Sequence, residues 1–377
     1  MTRLAAPPRL FTRPFALACG AAFANLTAFY LPLSVVPARV VAAGAPNGAA
    51  GLVTAALMLG GVLAECMAPR LMTRFGDRAV LAVGLLLLGG AALLLVPALT
   101  VASTALVCGL RGLGFGFAVV VTGALVTRHV PAERRGEGLA VAGVVACVPA
   151  VAALPAGVWL ADACGADVVF LVAALVAAAG VLAPLALGPG AGPVEHPAGL
   201  GAVARAPEQR RPALLFAATT VACGIVVAYL PVATTGPAVA LGLFVLALAA
   251  TAGRYGAGRW GDRHGHARLV APGLAVSGLG MVLLLGVDRA AVLVAAMAVF
   301  GIGFGIAQSA TYAVMVERSP AGGHGAVSAL WNLAYDLGYG VGPLAFAAVV
   351  GTSGYPSAFA LTGLVVLTGL RAARRIR

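Results

Sequence analysis

Three charged residues lie inside apolar stretches of the sequence, where a charge is costly. Arg111 and Asp336 fall near the middle of such stretches, and Glu65 falls closer to the end of one. A charged side chain at the centre of a lipid bilayer costs roughly 2.5–3.5 kcal/mol on insertion scales, so each needs a partner or a watery cavity. A carboxylate at that depth can take up and release a proton, or bind a cationic group. Whether Asp336 or Glu65 would do so stays open.

Polar side chains accompany Asp336 at helical spacing. Asn332 precedes Tyr335, Asp336 and Tyr339 by three, four and seven positions. These spacings place all four side chains on one face of a helix. We expect this face to bind substrate or to couple transport to protons. The alternative is a neutral or paired aspartate that bonds to Tyr, Asn or Arg111 and holds helices together.

The elements that position these residues are predicted from composition. The chain of 377 residues is 61% hydrophobic and 10% charged, with a mean hydropathy of +1.02. Soluble domains are about 45–50% apolar and about 25% charged, so this is an integral membrane protein. Alternation typical of barrel strands is absent, which predicts helices. Twelve apolar stretches are each about long enough to span a bilayer: 15–36, 47–68, 79–98, 103–126, 138–160, 167–187, 212–232, 236–254, 269–287, 291–316, 325–349 and 355–371.

The basic charge of the chain follows a topology pattern. The net charge is +12, and all 24 basic residues are arginine. If the N-terminus is cytoplasmic, 21 of them fall on the cytoplasmic side and only Arg39 and Arg289 fall in outer loops. This is the positive-inside distribution, and it predicts a cytoplasmic membrane protein with both termini inside. The charge therefore argues for membrane topology and against nucleic-acid binding.

The sequence repeats itself at an offset of 189 residues. Gly112-Leu113-Gly114-Phe115-Gly116 corresponds to Gly301-Ile302-Gly303-Phe304-Gly305 at this offset. We predict an N-terminal six-helix half over 1–187, a flexible cytoplasmic linker over 188–211 and a C-terminal six-helix half over 212–377. Paired halves in a membrane protein indicate a transporter with its site between them.

The same offset relates two basic segments that follow the second and eighth stretches. Arg70, Arg74 and Gly76 correspond to Arg259, Arg263 and Gly265. The second copy contains Gly258, Asp262, Arg263 and Gly265 in the pattern Gly-x-x-x-Asp-Arg-x-Gly, and two halves of six helices with this segment resemble the major facilitator superfamily, including bacterial efflux members. The resemblance covers nearly the whole chain and implies that this inter-helix loop latches the halves in one state. Asp262 is expected to cap a helix or pair with an arginine, and Arg263 to face lipid phosphates.

The first copy departs from the family pattern. Pro69 stands in place of the glycine and Thr73 in place of the aspartate, and Asp77 follows where basic residues are usual. The latch on that side is therefore in doubt unless Asp77 or Glu65 substitutes for the missing acid.

The resemblance also implies which residues meet the substrate. In this family the first, fourth, seventh and tenth helices line a central cavity, and an intramembrane arginine like Arg111 precedes a glycine-rich face. The implied substrate contacts beyond the Asp336 face are Arg111, Gln308, Tyr312, Asn25 and Tyr30, and each also fits a helix-packing role. The Gly-Pro signature of the family's efflux members is missing from the fifth stretch, where Pro149 and Pro155 occur instead.

The predicted function is proton-coupled export of a small lipophilic or cationic compound by alternating access. Uptake of a metabolite or anion, with Arg111 as the anion anchor, is the alternative within transport. A membrane-embedded enzyme or a non-transporting receptor is the alternative from another class, and the sequence shows no metal-ligand cluster, nucleophile–base pair or phosphate loop that would favour an enzyme. We predict no metal and no cofactor, contact with membrane lipids, and a functional monomer.

Overall fold

The computed structural model describes residues 11–97, 100–130, 134–187, 200–319, 324–374 and 376, and within them it contains helices and no strands. In lipid every backbone N–H and C=O must be satisfied within the segment, which the helix does. The helices are α1 (Arg13–Tyr30), α2 (Val35–Ala42), α3 (Gly48–Phe75), α4 (Asp77–Leu93), α5 (Val101–His129), α6 (Arg135–Cys164), α7 (Ala166–Gly180), α8 (Leu182–Ala186), α9 (Leu200–Arg205), α10 (Pro207–Ala233), α11 (Pro237–His264), α12 (Ala267–Leu283), α13 (Ala290–Glu317), α14 (His324–Thr368) and α15 (Leu370–Ala373).

The described helices form twelve crossings in two pseudo-symmetric bundles of six. Ten helical stretches are long and apolar enough to cross a membrane without further argument. The remaining two follow from α4, which has 17 residues, and from α14, which contains two crossings separated by a break at Gly354. Gly354 has φ 72°, a conformation that glycine adopts without a Cβ penalty. The predicted fold class is confirmed.

The helices that carry the basic segments are longer than the sequence predicts. α3 continues to Phe75 and α11 to His264, past the predicted ends at 68 and 254. Arg70 and Arg74 therefore lie inside α3, and Gly258, Asp262 and Arg263 lie inside α11. The expectation of an inter-helix loop at these positions is wrong, because arginine is a good helix former and a helix does not end where its residues become polar.

Each of these connections is reduced to a sharp turn at a glycine. Gly76 has φ 81° and directly precedes α4, whose first residue is Asp77. Gly265 has φ 92° and is followed by His266, the N-cap of α12. Both glycines adopt the left-handed conformation that other residues avoid.

Part of the predicted linker is also helical. α9 spans Leu200–Arg205 and α10 begins at Pro207, both inside the predicted range 188–211. Residues 188–199 of that range lie outside the described residues. The prediction of a flexible linker is therefore corrected at residues 200–205 and 207–211, which are helical.

The 189-residue repeat reappears in the packing. A Cβ on Gly112 of α5 would strike the carbonyl oxygen of Leu57 on α3, and a Cβ on Gly301 of α13 would strike that of Leu246 on α11. Leu57 and Leu246 are themselves 189 positions apart. Two further contacts repeat in the same way. The contact of Gly116 with Gly61 corresponds to that of Gly305 with Ala250, and the contact of Gly114 with Leu88 corresponds to that of Gly303 with Ser277. Small residues at these crossings let the helix backbones touch, which is how membrane helices pack.

Two long contacts join the halves side by side. α3 packs along α14, and α6 packs along α11. Where α3 meets α14, a Cβ on Gly51 would strike the backbone of Pro343, and one on Gly340 would meet the side chain of Met58. The two backbones are therefore in direct contact at this interface.

A third contact closes one end of the space between the halves. α2, which extends α1 at the end far from the N-terminus, packs on α10. The Ser34 hydroxyl donates to the carbonyl of Val227 at 2.7 Å, and the Tyr229 hydroxyl donates to the carbonyl of Asn47 at 2.9 Å. Among the described residues these side-chain hydrogen bonds between the halves both lie at the end opposite the N-terminus. The space between the bundles is sealed there.

Candidate functional site

A cavity of about 370 Å³ lies between the two halves. Helices α1, α3, α5 and α6 line it from one side, and α10, α11, α13 and α14 line it from the other. Seven of the predicted substrate or coupling residues are brought together here: Asp336, Glu65, Asn332, Tyr335, Tyr339, Gln308 and Tyr30.

The other three predicted residues lie outside the cavity lining. Arg111 is 1% exposed, and its guanidinium donates to the carbonyl of Ala28 on α1 at 3.4 Å. Asn25 on α1 is fully buried. Tyr312 shares a hydrogen bond of 2.8 Å with Ser328 and so joins α13 to α14. In this structure these side chains make helix–helix contacts or are enclosed among helices, the alternative that the sequence left open.

The two acids in the cavity come from opposite halves. Glu65 lies on α3 and Asp336 lies on α14, the two helices that pack along each other. Both carboxylates line the same cavity. Two negative charges that line one cavity repel each other, so a positive charge that enters between them, a proton or an organic cation, stabilises the pair.

One charged residue of the cavity is missed by the sequence reasoning. Arg254 lines the cavity from α11 and is exposed, whereas the sequence analysis makes it the last residue of the eighth apolar stretch and counts it only among the cytoplasmic arginines. Tyr30 and Tyr335 line the same cavity. Arg254 stands 189 positions after Glu65, so the repeat itself relates a carboxylate on one wall to a guanidinium on the other. The offset applied to Glu65 is the signal that could have found it.

The two walls of the cavity differ chemically at other equivalent positions. Tyr335 and Asp336 on α14 correspond to Ala146 and Cys147 on α6, and all four line the cavity. Gln308 on α13 likewise corresponds to Val119 on α5. The C-terminal half therefore supplies most of the polar groups, and the N-terminal half supplies a largely apolar wall with Glu65 and Tyr30.

Aromatic rings form a continuous strip beside the acids. The rings of Tyr335 and Tyr339 stack with centroids 5.7 Å apart, and Trp331 lies 6.2 Å from Tyr335. Trp331 also stacks on Phe216 at 4.5 Å. Aromatic faces beside carboxylates provide both cation–π and ionic attraction for an organic cation.

Two polar atoms in the lining have no hydrogen-bond partner among the described residues. They are Oε1 of Gln308, an acceptor, and Nε1 of Trp331, a donor. A buried polar group without a partner costs about 1–3 kcal/mol. A solute or water in the cavity that supplies the complementary groups recovers this free energy. No group of three His, Cys, Asp or Glu side chains in the described part of the chain is placed to hold a metal ion.

A sequence profile of the Major Facilitator Superfamily matches residues 18–255 and 234–375, which together span nearly the whole chain. The chain belongs to the major facilitator superfamily. It is therefore a multi-pass membrane transporter for a small-molecule substrate. Members of this family are transporters and not enzymes.

Solved structures of other members share the superfamily fold. A D-xylose-proton symporter is 12% identical, with 97% of this chain and 97% of that chain covered and a TM-score of 0.80. The nucleoside transporter NupG is 10% identical, with coverage of 97% and 100% and a TM-score of 0.76. A variant of NupG is 11% identical, with coverage of 96% and 99% and a TM-score of 0.79. No curated protein sequence matches the chain significantly.

Directly after each glycine turn, an acidic and a basic side chain meet between neighbouring helices. The two halves exchange the positions of the acid and the base. In the N-terminal half, Asp77 at the start of α4 accepts from Arg128 at the end of α5 at 2.6 Å. At the equivalent positions of the C-terminal half, His266 meets Glu317 at 2.6 Å. His266 also lies 3.5 Å from Asp262 of the motif, so the motif aspartate contacts a histidine where an arginine or a helix start was expected.

Proposed function

We propose that this transporter exports a small lipophilic organic compound with a cationic group from the cell in exchange for protons. The observation that carries the proposal is the pair of carboxylates, Glu65 and Asp336, that opposite halves contribute to one cavity. In a rocking mechanism the halves move against each other around such a midplane site. The surroundings of a carboxylate at the interface between the halves therefore change in every transport cycle.

The acids give protons and an organic cation a common target. With both carboxylates ionised, their mutual repulsion favours the entry of one positive charge, and either a proton or a protonated amine supplies it. The aromatic strip from Trp331 to Tyr339 binds the apolar body of the amine, but contributes little to the binding of a proton. Competition of this kind couples exit of the cation to entry of a proton.

The state of the structure supports loading from the cytoplasm. The seal at Ser34 and Tyr229 closes the end opposite the N-terminus, and the exposed Arg254 lies on the half of α11 that leads away from that seal. We propose that the positive-inside rule holds here, so that both termini lie in the cytoplasm and the protein resides in the cytoplasmic membrane. The cavity then faces the cytoplasm, where an exporter collects its substrate. One chain provides the whole pathway, and we propose that the monomer is functional.

The test uses everted membrane vesicles with an inside-acid gradient and a pH-sensitive dye. Addition of lipophilic organic cations to the wild type is expected to release protons, and Asp336→Asn or Glu65→Gln is expected to abolish the release. Asp162→Asn, which changes a carboxylate on α6 outside the cavity, is the matched control and is expected to behave like the wild type. Cation-triggered release that survives both cavity variants would refute coupling through this pair.

Proton-coupled uptake is the second candidate, because the same carboxylates serve symport as readily as antiport. One solved structure with the same fold is a D-xylose-proton symporter. Uptake predicts that a solute enters right-side-out vesicles together with protons, and that no organic cation dissipates the gradient in everted vesicles. The two vesicle orientations therefore separate the candidates.

A further inference from the structure

The cavity contains one cation that the proton-coupling argument leaves unused. Arg254 is exposed to the cavity, and no carboxylate of the described residues lies within ion-pairing distance of it. Arg111, by contrast, is enclosed and donates to a backbone carbonyl. Of these two deep arginines, Arg254 is the one whose guanidinium a solute can reach.

The repeat places this cation opposite an acid. Arg254 and Glu65 occupy equivalent positions on α11 and α3, so the pseudo-twofold axis between the halves sets them on opposite walls of the cavity. Asp336 adds a second carboxylate to the lining of the same cavity. Tyr30 and Tyr335 line the same cavity as these charged groups. The cavity therefore offers a negative pole, a positive pole and aromatic rings to one solute.

We infer that the substrate is a zwitterion: an aromatic molecule with a protonated amine for Glu65 and Asp336 and an anionic group for Arg254. The inference refines the proposed function by naming the substrate class, and rests on it only in taking this cavity as the substrate site. A guanidinium is suited to the second role because it donates to a carboxylate through two parallel N–H groups. A cavity of about 370 Å³ accommodates a molecule of a few fused or linked rings.

A matched pair of fluorescent probes isolates the positive pole. The free acid of a rhodamine is a zwitterion, and its methyl ester is a cation of nearly the same shape. Binding of each to purified protein in lipid nanodiscs is measured by fluorescence polarisation, without any proton gradient. The wild type is expected to bind the acid more tightly than the ester. A hydrogen-bonded ion pair of this kind corresponds to about a ten- to hundredfold difference in Kd.

Substitutions of Arg254 are expected to act on the acid alone. Arg254→Gln should weaken binding of the acid by about ten- to a hundredfold and leave ester binding no weaker. Arg254→Lys should restore part of the loss, because it keeps the charge without the paired donors. Arg259→Gln on the same helix, whose guanidinium contacts Tyr255 outside the cavity, is the control and should bind both probes as the wild type does.

Three results would overturn the inference. The first is a wild type that binds neither probe, and the second is a wild type that binds the ester at least as tightly as the acid. The third is an Arg254→Gln variant whose acid binding is unchanged while ester binding improves, which would show that Arg254 only balances the acids at a distance. Failure of the proposed function has a different signature, because Asp336→Asn would then leave cation-triggered proton release intact while the binding results stand.

Discussion

Removal of Arg128 is expected to destabilise the N-terminal half more than removal of its partner Asp77. The Asp77 side chain is 6% exposed and that of Arg128 is 30% exposed. Arg128→Gln leaves a buried carboxylate without its cation, which costs about 3–5 kcal/mol. Asp77 is the first residue of α4, and the helix N-terminus offsets about 1 kcal/mol of this. The expected loss is therefore about 2–4 kcal/mol.

The reverse substitution leaves a charge that water can reach. In Asp77→Asn the partly exposed guanidinium of Arg128 stays accessible to water, so the expected loss is that of one charged hydrogen bond, about 1.5–3 kcal/mol. In the double variant no carboxylate is left unpaired, and its stability should recover to near that of Asp77→Asn.

The assay is unfolding of the purified variants in nanodiscs, followed by tryptophan fluorescence and compared as a double-mutant cycle. Arg134→Gln, which breaks a half-exposed ion pair with Glu137, is the control and should cost no more than about 1 kcal/mol. The reasoning is refuted if Asp77→Asn destabilises as much as Arg128→Gln, or if the two losses add in the double variant.

Two further predictions concern packing and the seal between the halves. Gly112→Ala and Gly301→Ala each drive a Cβ into a backbone carbonyl, which should cost about 1–3 kcal/mol of stability and lower the unfolding midpoint. The control, Gly123→Ala on α5, meets nothing within 4 Å and should be neutral or stabilising. Equal tolerance of all three substitutions would contradict the close contacts. Tyr229→Phe removes a hydrogen bond of the seal worth about 0.5–1.5 kcal/mol, which should raise the population of the state open at that end about two- to tenfold. Spin-label distances between the ends of α2 and α10 measure that population, and an unchanged distribution would show that the bond does not hold the seal.

The sequence predicts the crossings of this fold because each needs about 20 apolar residues and few charges. It also predicts that Asp336 lies inside a membrane-crossing helix, and α14 contains it. It does not predict which way a side chain faces. Lipid and neighbouring helices are both apolar, so a membrane helix shows little of the amphipathic pattern that reveals orientation in soluble proteins. Arg111 and Asp336 therefore look alike in the sequence, although only Asp336 reaches the cavity.

The helix ends were missed for a related physical reason. A loss of hydropathy marks the membrane surface, but α3 and α11 extend beyond it as ordinary helices until Gly76 and Gly265 allow a turn. Arg254 falls at the predicted end of the eighth stretch, where it counts only as a topology signal, so the sequence does not reveal it as the positive group of the cavity. Applying the 189-residue offset to every charged residue, and not only to the motif, is the correction that the sequence permits.

The backbone contact between α3 and α14 has a kinetic consequence. At Gly51 the backbone of α3 meets that of α14, and at Gly340 the Met58 side chain packs directly on the glycine, so few side chains must separate when one half slides along the other. The free-energy barrier between the two end states is then set by the bonds of the seal and by the cavity's charges. A bulkier residue at either glycine would lower the rate of exchange between the two end states. Turnover would then fall even where a solute still binds with full affinity.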